Sequence, residues 1–97
     1  MPKLTDDEVG AALGRLPGWS FDGSTIRKEF SFKGFTSAVG FVERLVEPAN
    51  AARHHPDLEI HYNRVVVTLS THDEGGVTER DLALARTIED VAEPQDP

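Results

Sequence analysis

The stretch from Asn50 to Asp81, NAARHHPDLEIHYNRVVVTLSTHDEGGVTERD, holds all four histidines of the 97-residue chain. His54 and His55 are adjacent, and Pro56 locks the backbone directly behind them; His61 and His72 follow, separated by a Val-rich run. An imidazole titrates near neutral pH, so it gives or takes a proton there at little cost. Proton transfer is the first chemistry this grouping suggests. Other chemistries fit less well. Three histidines can hold a catalytic zinc, but adjacent side chains diverge and the His-Glu-x-x-His helical spacing is absent, so no metal site is expected. Ser70 shares a strand face with His72 but lies in nothing resembling a nucleophile elbow. Gly75-Gly76 is too short to cradle phosphate and reads as a flexible link into a helix. His61 alternates with Leu58, Ile60 and Tyr62, so it faces solvent and receives no role.

The elements that must position these residues follow from the hydrophobic pattern. Thr5 to Glu8 fits a capping box, and Val9, Ala12, Leu13 and Leu16 continue at helical spacing until Pro17-Gly18. Trp19 and Phe21 bracket a short strand, and Asp22-Gly23 is a turn signal. Ile26, Phe30 and Phe32 form one face of the next strand. Lys28 interrupts that face, which suggests a strand at an edge or bent. Phe35, Ala38, Val39, Val42, Leu45, Val46 and Ala49 then recur at helical spacing. Pro48 inside this helix is expected to kink it or end it near Glu47. Leu58 to Tyr62 alternates as a strand, Asn63-Arg64 is read as a two-residue hairpin turn, and Val65, Val67 and Leu69 face one side of the strand that follows. Thr78 caps a last helix with Leu82, Ala85, Ile88 and Val91/Ala92 on its apolar stripe; the terminal EPQDP is expected to fray. The order α-β-β-α-β-β-α, with short turns inside each strand pair, predicts an α+β two-layer sandwich: a four-stranded antiparallel sheet with helices on one face.

Composition bounds the rest. At this length residues 1–97 are read as a single domain. The chain is 38% hydrophobic and 28% charged, with a formal net charge of −7 and an isoelectric point near 4.9. Such a surface repels phosphate, which argues against direct nucleic-acid partners and anionic membranes. The absence of cysteine rules out disulfides, thiolate nucleophiles and Cys-rich zinc sites. The N-terminal segment lacks the apolar core of a secretory signal, and no apolar run approaches the ~20 residues of a membrane helix, so a cytoplasmic location is expected.

With the elements in place, a larger pattern stands out. His54-His55-Pro56-Asp57, Tyr62-Asn63, Leu69-Ser70-Thr71-His72 and Thr78-Glu79-Arg80-Asp81-Leu82, together with Leu16-Pro17-Gly18-Trp19 and Phe30-x-Phe32, closely resemble the pterin-4a-carbinolamine dehydratase family. The resemblance implies the same α+β fold and assembly into homodimers or homotetramers. It implies loss of water from a 4a-hydroxytetrahydropterin to give the quinonoid dihydropterin, a step in tetrahydrobiopterin recycling for aromatic amino-acid hydroxylases. Neither metal nor redox cofactor is required. By the same resemblance His54 and His72 are the acid–base residues and His55 orients the pterin. Asp81 holds a histidine or the substrate, and Pro56 and Trp19 belong to the substrate site; read from pattern alone, Trp19 fits a core or rim aromatic equally well. The family often has an acid where Asn50 stands and Asn or Asp where Arg53 stands, and Pro48 is atypical. A helix continuing past Pro48 would set Asn50 and His54 one turn apart on the same side. Two other functions compete: a non-catalytic protein-binding or regulatory module on the same fold, and a pterin-handling role without turnover. Retention of His54, His55 and His72 favours the enzyme.

Overall fold

The computed structural model describes residues 2–92; the expected fraying of the C-terminal segment lies outside them. The described residues form three helices and one open sheet, in the order α1 (Asp6–Leu13), β1 (Ser20–Phe21), β2 (Ile26–Ser31), α2 (Phe35–Ala52), β3 (Asp57–His61), β4 (Arg64–Leu69) and α3 (Glu79–Ala92), with a 3₁₀ turn at His72–Glu74. All strand pairs are antiparallel and the spatial order is β1-β2-β4-β3. This is the expected two-layer architecture.

Each element has a local cause. The capping box at α1 forms as its residues demand: Thr5 N donates to Glu8 Oε1 at 2.8 Å and Glu8 N to Thr5 Oγ1 at 3.1 Å. Asp22 closes the β1–β2 turn by accepting from the backbone N–H groups of Ser24 and Thr25 at 2.9 and 2.7 Å. Those two bonds, with that from the Thr25 hydroxyl, hold its carboxyl at about 2, below the usual 3.8. The core lies between sheet and helices. Ile26, Phe30, Phe32, Val65, Val67 and Leu69 from the sheet meet Ala38, Phe41 and Leu45 of α2 and Leu82, Ala85 and Ile88 of α3.

Four expectations need correction. Of the two readings of β2, at an edge or bent, the edge is excluded, because it pairs with β1 and β4. Lys28 is tolerated on its apolar face because its stem crosses Phe30, with Nζ 4.8 Å from the ring centroid, and its ammonium reaches Glu89 and the Pro17 carbonyl. Pro48 does not end α2, which runs unbroken to Ala52; packing of Leu45 and Ala49 on either side of the proline holds the helix through it. The buried stripe of α2 is Ala38, Phe41, Leu45 and Ala49, so the helix is rotated from the expected face. Phe35 and Val46 are left more than half exposed, at 53% and 55%, while Phe41 is fully buried and tilts against Phe30 and Phe32. The β3–β4 turn is Tyr62-Asn63, one residue earlier than expected, since His61 pairs with Arg64. Tyr62 takes the positive φ of 55°, and Asn63 is tied to Phe32 by two hydrogen bonds, Asn63 Nδ2 to Phe32 O at 3.0 Å and Phe32 N to Asn63 O at 2.8 Å.

Candidate active site

Three chain segments converge near the C-terminal end of α2. The helix stops there by a left-handed turn: Arg53 has φ 53° and ψ 40°, Arg53 N donates to Asn50 O and His54 N to Ala49 O, both at 3.2 Å. These are the paired bonds of a Schellman motif, with arginine where glycine is usual. The reversal sends His54 inward and leaves His55 exposed, and Pro56 prevents the helix from resuming.

His54 is only 8% exposed and its Nε2 contacts Asp81 Oδ1. Asp81 is fully buried in the first turn of α3, its carboxylate reaching back to the backbone of Thr78. Its Oδ2 accepts from Thr78 N at 2.9 Å and from Thr71 Oγ1 at 2.8 Å, while Thr78 Oγ1 accepts from Arg80 N at 3.2 Å. The two threonine hydroxyls are also bonded to each other at 2.8 Å. Oδ2 is thus occupied, Oδ1 is committed to His54, and the helix N-terminus favours the negative charge. With the carboxylate as acceptor, Nε2 carries the hydrogen of neutral His54, and Nδ1 is left as the acceptor of the ring. A carboxylate behind an imidazole fixes its tautomer and stabilises the cation formed when the ring takes a proton.

His55 bonds through Nε2 to Asn50 Oδ1 at 2.8 Å. A helix continued as far as His54 would have set Asn50 on the same side as that residue. The left-handed turn at Arg53 breaks the helical spacing between them, so the amide meets His55 instead. His72 lies beyond the end of β4 rather than on its face. It opens the 3₁₀ turn that Gly75 closes with φ 73°, and a bridge between Thr71 and Gly76 spans the base of the loop.

The three histidines line one cleft of about 200 Å³, together with Arg53, Asp73 and Arg80. Two residues named from the sequence lie elsewhere. Pro56 borders a separate apolar groove of about 140 Å³ beside Val46 and Leu58, which shares only His55 with the cleft. Trp19 is 6% exposed in the core, edge-on to Phe30, and donates through Nε1 to Glu89 Oε2 at 2.8 Å, some two turns along α3 from Asp81. His61 is exposed and pairs with Glu59 at 3.2 Å. Sequence reading missed Thr71, Asp73 and the cleft position of Arg80. The Thr78-x-x-Asp81 capping spacing could have signalled that the aspartate is anchored, whereas nothing local marks Thr71. Among the described residues no group of three or more His, Asp or Glu is placed to hold a metal ion, and no helix is long and apolar enough to cross a membrane.

Fold and cleft define a class: small two-layer α+β proteins with an open antiparallel sheet and an imidazole-lined cleft at the helix-to-strand junction. Residues 2–91 match the family described as Pterin 4 alpha carbinolamine dehydratase, and the chain belongs to that family. A relative from Picosynechococcus sp. named as a pterin-4-alpha-carbinolamine dehydratase is 52% identical over 87 residues, covering 90% of this chain and 95% of the relative. One of the same name from Sulfolobus acidocaldarius is 48% identical over 86 residues, covering 89% and 94%. The crystal structure of a transcriptional coactivator/pterin dehydratase from Brucella melitensis is similar with TM-score 0.88 and 43% identity, over 93% of this chain and 98% of that one. A pterin dehydratase-like protein identified as a RuBisCO assembly factor in the alpha-carboxysome shares the fold, with TM-score 0.68 and 20% identity over 78% and 90%.

Proposed function

We propose that this protein dehydrates a 4a-hydroxytetrahydropterin to the quinonoid dihydropterin. The observation that carries the reading is the convergence of His54, His55 and His72 on one cleft, with the buried Asp81 carboxylate behind His54. In the reaction the C4a–O bond breaks, the proton on N5 leaves, the C4a=N5 double bond forms, and water departs. A base must take the N5 proton and an acid must protonate the leaving hydroxyl. His54 suits the base, since Asp81 stabilises the imidazolium that results. His72, exposed on its loop, suits the acid. His55, held by Asn50, orients the flat ring. Positioned proton transfer of this kind supplies about 10²–10⁴-fold in rate.

The family membership and the names of the relatives support the same chemistry. Tetrahydrobiopterin recycling in the cytoplasm, and a homo-oligomeric assembly, complete the proposal. The test is to supply enzymatically generated 4a-hydroxytetrahydrobiopterin and follow quinonoid product by absorbance. Acceleration that falls by about 10²-fold or more in His54→Ala is expected. A rate equal to the uncatalysed one would overturn the enzymatic reading in favour of a protein-binding module.

A further inference from the structure

On a chain of net charge −7, positive charge collects in the cleft. Arg53 and Arg80 both line it, and Asp73 is the single carboxylate on its lining; Asp81 lies behind His54, buried and with both oxygens engaged. Two guanidinium groups therefore face one carboxylate even when all three imidazoles are neutral. Arg80 uses Nη2 to hold the Arg53 carbonyl at 2.7 Å. The Arg53 guanidinium itself makes no hydrogen bond or ion pair with any described residue.

The backbone at Arg53 is what makes this informative. Its left-handed conformation is one a glycine adopts freely and other residues adopt at a cost. Arginine stands there nonetheless, and the turn sets an unpartnered fork of donors at the rim of the cleft. Such a fork matches the oxygens of a phosphate or carboxylate. Long-range electrostatics oppose an anionic ligand on so acidic a protein, so any preference for one must come from these local groups.

We infer that the cleft takes a pterin whose side chain carries an anionic group, a phosphate ester or a carboxylate, and that Arg53 selects for it with Arg80 as a second donor. The inference rests on the pterin reading above: Arg53 lines the same cleft as the imidazoles, and a ring among them whose substituent runs to the Arg53 side brings the anionic group to the guanidinium.

Titration calorimetry on the full chain tests this with three stable pterins that differ only in the end of the side chain: hydroxyl, carboxylate or phosphate monoester. The phosphate ester is expected to bind about tenfold or more tighter than the alcohol. A carboxylate that matches it names charge alone as the determinant; one that falls well below it names phosphate. In Arg53→Gly and Arg53→Asn, which both tolerate the left-handed backbone, the preference should shrink to within about twofold. Salt is a poorer readout, because it screens the long-range repulsion together with the local attraction. Equal affinities in the parent, failure of all three to bind, or a preference that survives both substitutions would overturn the inference. Dehydration of the neutral substrate is assayed in parallel. Turnover without anion preference removes the role of Arg53 and leaves the dehydratase reading standing. Anion preference without turnover does the reverse.

Discussion

At the scale of single residues, the site depends on two side chains that are not imidazoles. Asp81 has three described polar partners and no contact with solvent. Asp81→Ala would leave His54, Thr71 and the Thr78 N–H without their acceptor inside the protein, and should destabilise the fold by about 3 kcal/mol in denaturant unfolding. Asp81→Asn keeps the shape but can present its amide nitrogen to His54 and so disturb the tautomer. It should fold, with turnover lowered by about 10²-fold; parental turnover in a folded Asp81→Asn variant would show that His54 needs no carboxylate. Asn50 is the second. It is exposed and touches His55 rather than His54, so Asn50→Ala should raise KM severalfold and leave kcat and melting temperature close to parental values. A fall in kcat at constant KM would mean that the amide acts on the reacting atoms through another route.

Among the elements, the β1–β2 turn is the one with a visible pH dependence. Asp22 titrates at about 2 in the folded chain against 3.8 for the free group. A lowered folded value means stabilisation that is present above the unfolded pKa and lost as pH falls through the folded one. The window is therefore about pH 4 down to 2. The stability difference between the parent and Asp22→Asn should be constant above that window and shrink steadily within it, measured by urea unfolding at stepped pH. A difference that does not change across the window would show that the two backbone bonds persist with the protonated acid. At the other end of the site, α2 passes through Pro48 intact because Leu45 and Ala49 are buried on either side of it. Tertiary packing outweighs a local preference worth ~3 kcal/mol.

For the whole molecule, the open sheet matters most. β1 and β3 are its edges, and β3 presents Ile60 at 41% exposure near Tyr62 at 70%. An unpaired edge with apolar side chains invites another strand. Sedimentation at micromolar concentration should give at least twice the 10.7 kDa chain mass. A monomer throughout that range would show that the edge stays open. Charge is the second property of the whole: a surface of net −7 encloses a cleft whose lining bears two arginines, so selectivity for a charged ligand has to be decided inside the cleft.

Hydrophobic periodicity along the chain was enough to determine the element order, the antiparallel pairing and the two-layer architecture, because apolar residues at period two and at helical spacing have one economical way to be buried together. The approach of His54 and His72 to one cleft, with His61 left outside it, was equally legible. Tertiary structure decided what period alone leaves open. The turn at Arg53 is a backbone choice that its residue type argues against, yet it sends His54 to Asp81 and His55 to Asn50. Thr71 joins the carboxylate from a different element, which no local spacing announces. Lys28 sits on an apolar face because Glu89 lies across the interface to receive it, and Trp19 stays in the core because the same glutamate accepts from its indole. The His54–Asp81, Lys28–Glu89 and Trp19–Glu89 contacts join residues 27, 61 and 70 positions apart, and only the folded packing brings such partners within hydrogen-bonding distance.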